Sequence, residues 1–402
     1  MYIHNLRDNI EKYERKENET FFGVFAIPLL ILTLIISSIV WLFLPNSAEA
    51  VWFDSNWTYK VPVEINPNKV GTTTAITSFP VYLNLADLPS SFFTNAKSDG
   101  CDVRVLESDE ATETAFELVS YSAGGTGELH FMADSLSTTS TSTFYVYYGN
   151  SGASCYAATD TYGKNAVWSA YGGVWHLNSA STDSTSNANN GTDSNVTYVS
   201  AKLGTGASGN GSNTEIDVGS NSSIQTTTNM STSIWVNMDS TVDAYTFSQT
   251  KPTSPYGRWV IYLASDSKFN FNLLNSGGGQ SIASSGAYTY STGTWYHVVG
   301  TISGTSMAIY VNGILRGTSS FAGTRSNTTG NITMFQRDVD GVGDTAGDLD
   351  EVRYIKSALS ASWVLTEYNN QSSPTTFYSI GTEQTEGGVG GALQTPGLIW
   401  FD

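Results

Sequence analysis

The chain has 402 residues, enough for two or three domains. Only 13% of them are charged, about half the ~25% of an average soluble domain, while 12% are aromatic, which excludes a disordered chain. The formal net charge is −18 and no run of Lys or Arg follows Ala50, which argues against nucleic acid as a partner and leaves solubility as the plain role of the acidity.

Residues 21–44 form a charge-free apolar run long enough to span a bilayer as a helix. Arg7, Lys12, Arg15 and Lys16 precede it, so its N-terminal side is expected to stay inside and the rest of the chain to be extracellular or at the cell surface. Two outcomes stay open. Pro45 and the small-residue pattern Ala48-Glu49-Ala50 predict a signal peptide cleaved before Val51, giving a secreted protein. Retention would make the same segment a membrane anchor.

After Ala50 the pattern changes to short alternating segments separated by Gly, Asn, Ser and Thr, the mark of half-buried strands, and the expected fold class is all-β with two β-sandwich domains. In residues 51–150, Val61, Val63 and Ile65 alternate with Lys60, Pro62 and Glu64. Pro62 cannot donate to a ladder, so this strand is expected at an edge. Further strands are expected at 79–85, 101–107, 114–121, 128–133 and 142–150. In the last, Phe144, Val146 and Tyr148 share one face, and Tyr145 and Tyr147 the other. Cys101 and Cys155 read as one disulfide in an oxidising compartment, with two buried thiols as the alternative.

Residues 151–173 read as a connection, and 174–383 as a second, larger sandwich. Its strands include 214–219, 232–239, 258–265, 268–274, 295–303 and 348–355. Asn312-Gly313 between two apolar runs predicts a type I′ hairpin turn. Ser360 is expected to cap a helix over 361–370. Residues 384–402 read as a Gly-rich tail.

Residues 52–150 resemble the domain of unknown function 2341 through Trp57-x-Tyr59, Cys101-Asp102-Val103-Arg104-Val105 and Tyr147-Tyr148-Gly149-Asn150. Residues 171–383 resemble a laminin-G-like, concanavalin A-type jelly roll. The blocks that carry this are Trp175-His176-Leu177, the run from Asp183 to Thr192, Trp295-Tyr296-His297-Val298, Ile309-Tyr310-Val311-Asn312-Gly313 and Gly347-Asp348-Leu349-Asp350-Glu351-Val352-Arg353. The second resemblance implies binding of carbohydrate or a protein surface, often beside a calcium ion.

No nucleophile or metalloprotease motif is present, and the chain is expected to bind rather than catalyse. Glu215 and Asp217 lack the third carboxylate a glucanase of this fold carries, and Ile216 and Val218 are expected in the core. His176 and His297 each follow a Trp on a strand and read as packed core histidines. Asp183, Asn189 and Asp350 are candidate ligands of a structural calcium, against the alternative of two solvated loops. The expected partner is a glycan or another surface protein. Self-association as a subunit of an envelope or filament is the alternative, and a glycoside hydrolase ranks below both.

Overall fold

The computed structural model describes residues 52–387 except 73, 227, 242, 252–256, 326–329 and 337–343. The apolar segment 21–44, the junction at Ala50 and most of the Gly-rich tail lie outside the described residues. Among those described, no helix is long and apolar enough to cross a membrane.

The fold is all-β, as the alternation predicts, and consists of four sheets stacked as two sandwiches. In the first sandwich one sheet runs Tyr378–Ile380, Tyr59–Ile65, Ser142–Tyr148, Arg104–Leu106, Glu113–Thr114. The facing sheet runs Ile76–Asn84, Thr126–Leu136, Phe116–Ser122. Their core holds Val61, Val63, Phe79, Val81, Leu129, Phe131, Phe144, Val146 and Tyr148, the inward members of alternating pairs. Tyr147 points to the opposite face and packs with Trp57 and Leu106. Lys60 is buried there too, paired with Glu110 and lying over the Trp52 ring. The blocks flanking Asp102 and Gly149 meet. The Asp102 carboxylate accepts the N–H groups of Lys97, Gly149 and Asn150, and its carbonyl accepts the Trp57 indole N–H.

The edge position expected for Tyr59–Ile65 is corrected. Residues 378–385 return to pair with it, Val63 opposite Ile380 and Tyr59 opposite Thr385, so the chain's last described strands belong to the first sandwich rather than to the second sandwich or a tail. Pro62 is tolerated because it falls in the gap between these two short pairings. Its carbonyl accepts the Gly381 N–H, and its missing donor faces the unpaired stretch.

The second sandwich has one sheet ordered Thr197–Ser200, Thr205–Asn210, Ala346–Ile355, Met230–Met238, Trp295–Ser303, Ser306–Val311, Ile314–Ser320, with Tyr171–Trp175 also paired to Ala346–Ile355. The other is ordered Gln280–Thr289, Lys268–Leu274, Gly257–Leu263, Ala244–Lys251, Ile332–Met334, Glu215–Asp217, Thr192–Ser194. Trp175, Ile216, Val218, Ile234, Val236, Trp259, Ile261, Phe271, Leu349 and Tyr354 fill the space between. Asn312 and Gly313 both have positive φ, +52° and +75°, as a type I′ turn requires.

The helix Ala361–Ser372 fastens the two sandwiches. Ser360 caps it by accepting the Trp363 N–H at 3.1 Å. Trp363 packs on Phe79 of the first sandwich, and Asn370 takes the Tyr82 N–H at 2.7 Å while donating to the Tyr82 carbonyl at 2.9 Å. On its other side Gln371 accepts the Trp235 indole N–H at 2.6 Å. The helix therefore presents polar anchors to both neighbours, which is why its sequence shows no clean apolar stripe.

Candidate functional site

The outer faces of two sheets, which alternation alone would place in water, are buried against each other. From the first sandwich come Glu117, Glu128 and His130, each on the face opposite its strand's core residues Leu118, Leu129 and Phe131. From the second come His176, Asp350, Glu351, Arg353 and His297. A β-bulge shapes this layer. Between Ser233 and Trp235 the pairing with Ala346–Ile355 slips by one residue, and Glu351 takes φ +50°. The extra residue turns Asp350 and Glu351 to the same outer side while Leu349 and Val352 stay in the core. A non-glycine residue held at positive φ costs roughly 1–3 kcal/mol, and bulges of this kind re-aim side chains at functional places.

His176 lies at the centre. Its Nδ1 is 2.5 Å from Glu351 Oε1 and its Nε2 is 3.1 Å from Glu117 Oε2. Burial would strip its proton, but the two carboxylates outweigh that and lift it to about 10, so the ring is an imidazolium at neutral pH. Burial pushes the other way on Glu117 as well, and the charge and hydrogen bond of His176, with Ser184 and Trp168 donating, hold its carboxyl below the ordinary value. The same holds for Glu351, where His176 and Arg353 overcome burial. Arg353 donates to Glu351 Oε2 at 2.5 Å and Glu367 Oε1 at 2.9 Å, and its guanidinium lies 5.0 Å from the centre of the Trp168 ring. Asp350 is pushed well up by burial and by Glu351 beside it. Burial, with Arg353, pulls His297 down to about 3, and burial keeps His130 neutral. His176 and His297 are both buried in this layer.

This layer opens to solvent at a cleft of about 610 Å³ between the sandwiches. It is lined by Phe116, Glu117 and Leu118 with the Cys101–Cys155 disulfide, by Tyr156 and Lys164, and by His176, Asn178 and Ser184. The phenolic Tyr156 is held by its hydrogen bond to Glu113 and by Arg104, whose guanidinium lies 4.1 Å from the ring centre. Asn178 donates to Glu128 at 3.1 Å, and Lys164 Nζ is 3.9 Å from Glu117. The cleft thus combines half-buried aromatic rings with fixed donors and acceptors, the usual make-up of a small-molecule site.

The residues proposed for calcium do not assemble into one ligand set. Asp183 accepts the N–H groups of Val174, Thr185 and Asn189 and the Thr185 hydroxyl, all at 2.8–3.0 Å. Asn189 donates to the Gly172 carbonyl and to Ser223. That is a hydrogen-bonded knot that closes the 172–191 loop. Asp350 lies in the inter-sandwich layer, where it accepts the Leu203 N–H at 2.7 Å. On the other sheet Asp217 accepts from Asn331 and from the Gly219 N–H, while Ile216 faces the core. The sequence reading missed Glu117, Glu128, Lys164 and Arg353. The one signal that could have found Arg353 is its place between two core-facing residues, Val352 and Tyr354, on a strand buried on both faces.

Residues 210–365 match the family model described as the Concanavalin A-like lectin/glucanases superfamily. No curated protein matches the chain. Among solved structures the chain is similar to domain 4 of AbnA, a GH43 extracellular arabinanase from Geobacillus stearothermophilus solved with arabinotriose. The identity is 20% and the TM-score 0.42, over 50% of this chain and 98% of that one. It is also similar to the botulinum neurotoxin serotype G binding domain, at 16% identity and TM-score 0.42, over 50% of this chain and 51% of that one. A third likeness is to the binding domain of Paraclostridial Mosquitocidal Protein 1, at 17% identity and TM-score 0.40, over 46% and 48%. The chain spans about half the length of these two toxin chains. Residues 210–365 are a concanavalin A-like lectin/glucanase domain.

Proposed function

We propose that the chain is a secreted or surface-held binding protein that takes a glycan in the cleft its jelly roll shares with the first sandwich. The observation that carries this reading is the cleft itself: Phe116 and Tyr156 in its lining supply aromatic surface for sugar C–H groups, and Lys164, Asn178, Glu117 and Thr182 supply polar partners for hydroxyls. The lectin/glucanase family match covers 210–365, beside the cleft rather than in its lining, and supports the ligand class for the domain. The Cys101–Cys155 disulfide supports an oxidising location, and residues 21–44 supply the means of export.

The test is a glycan array with the full chain in detergent, alongside Lys164→Ala and Asn178→Ala. Selective binding of a sugar class, weakened about tenfold in either variant (about 1.4 kcal/mol), is expected. Absence of any glycan signal, or binding that neither variant changes, would sink the proposal.

A further inference from the structure

One histidine in the buried layer is left unexplained by the network around it. His130 is fully buried, and among the described residues neither ring nitrogen has a hydrogen-bond partner. Native interiors rarely leave such a group unmet. Its Nε2 faces Glu351, 3.9 Å from Oε2, too far for a hydrogen bond. Its ring stacks on His176 with centroids 4.9 Å apart. His130, His176 and Glu351 each offer one ligand atom, and these atoms lie within 4.8 Å of one another.

We propose that His130, His176 and Glu351 form a binding site for a zinc-class transition-metal ion that clamps the two sandwiches together. Two imidazole nitrogens and a carboxylate oxygen suit zinc and its neighbours, whereas calcium asks for six to eight oxygens. Tetrahedral zinc with bonds of about 2.0–2.2 Å brings ligand atoms to roughly 3.3–3.6 Å from each other, so the His176–Glu351 pair, at 2.5 Å, opens to admit the ion while His130 rotates inward. Glu117 completes it from outside. By accepting the Nε2–H of His176 at 3.1 Å it directs Nδ1 toward Glu351 and the ion, the carboxylate–histidine arrangement that orients metal-bound imidazoles, and the ion takes the place of the Nδ1 proton of the metal-free imidazolium, which leaves to solvent. Glu117 is itself fixed by Ser184 and Trp168. Arg353 competes for Glu351, but the nearby Glu117 and Glu128 offset its charge. Since His176 and Glu117 line the cleft, the ion has a route in from solvent. His130 stands on Thr126–Leu136 of the first sandwich, and Glu351 on Ala346–Ile355 of the second, so a bound ion would bridge the two.

The experiment strips the full chain with chelator, returns zinc, and measures bound metal by elemental analysis and the visible absorption of a cobalt-substituted sample. Wild type is expected to hold one zinc per chain and to give a tetrahedral cobalt spectrum. His130→Gln should weaken zinc binding at least about tenfold, while His297→Gln, which changes another buried histidine of the same layer, should not. X-ray absorption on the wild-type zinc form should show two imidazole ligands, and this readout does not depend on whether any variant folds. A folded wild type without zinc, unchanged affinity in His130→Gln, fewer than two imidazoles, or displacement of zinc by equimolar calcium would overturn the proposal.

Discussion

Replacing Arg353 by Met removes the cation that ties the buried layer together. The guanidinium makes charge-assisted hydrogen bonds to both Glu351 and Glu367, and Arg353 and its two partners are almost wholly inaccessible to solvent. Each such bond contributes roughly 1.5–3 kcal/mol, and removing one member of a buried charged set costs about 3–5 kcal/mol because the others stay desolvated without a counter-charge. Methionine fills much of the volume of the Arg353 stem, so the lost charge dominates, and a destabilisation of about 3–5 kcal/mol at pH 7 is expected. The deficit should shrink toward pH 5. Burial already raises Glu367, and without Arg353 it takes up a proton more readily. Urea unfolding of wild type and Arg353→Met, followed by tryptophan fluorescence at both pH values, measures this. Arg353→Met with Glu367→Gln should recover part of the loss. A deficit below about 1 kcal/mol at pH 7, or one that does not change with pH, would show that the layer does not depend on Arg353 for its charge balance.

Stability should fall as pH rises above 6.5. His176 is raised to about 10 when folded against 6.5 unfolded, so its contribution is fully present below pH 6.5 and is lost as pH rises toward 10, at a slope of up to about 1.4 kcal/mol per unit. His297 is depressed to about 3 and gives the opposite slope between pH 3 and 6.5, opposed in part by Glu128, which is raised to about 6 by burial and Glu351. Unfolding midpoints that rise steadily from pH 6.5 to 9.5 would contradict the imidazolium at the centre of the layer. Asn370→Ala strands the Tyr82 N–H and carbonyl between the helix and the first sandwich and should cost roughly 2–4 kcal/mol by urea titration. The Cys101–Cys155 disulfide closes a loop with a sequence separation of 54, worth about 4 kcal/mol in the chain-entropy model. Reduction verified by thiol counting should lower the unfolding midpoint to that of the Cys101→Ser/Cys155→Ser variant, and an unchanged midpoint would contradict it. Gly300→Ala places a methyl 2.4 Å from the Phe271 ring and should cost about 1–3 kcal/mol in the same assay.

Period-two alternation located the strands that have one wet or one core face. Ile216 and Val218, Phe144 and Tyr148, and the Asn312-Gly313 turn all stand where local pattern and turn chemistry put them. What alternation cannot say is whether the other face meets water or a second sheet. His130, Glu117 and Arg353 occupy outward positions that look like ordinary solvated ones, and only the stacking of two sandwiches makes them interior. The bulge at Glu351 hides the layer further, since it sends two neighbouring acids to one side and breaks the period on which the reading depends. The Asp183 carboxylate stands out in its loop, but the N–H groups of Val174, Thr185 and Asn189 that converge on it leave no mark in the sequence. Pro62 indicated an edge, while its partner strand lies about 300 residues away, beyond any local signal.

That separation has a consequence during synthesis. Tyr59–Ile65 leaves the ribosome long before residues 378–385, and at ~5–20 residues per second the delay is roughly 15–60 s. For that interval the strand is an edge after all, with one row of backbone groups open to any passing chain. Pro62 offers no donor on that side, and Gly381 later docks on its carbonyl. The residue that looked like the signature of a permanent edge serves as a guard for a temporary one, lowering the chance of sticking to another nascent copy until residues 378–385 arrive.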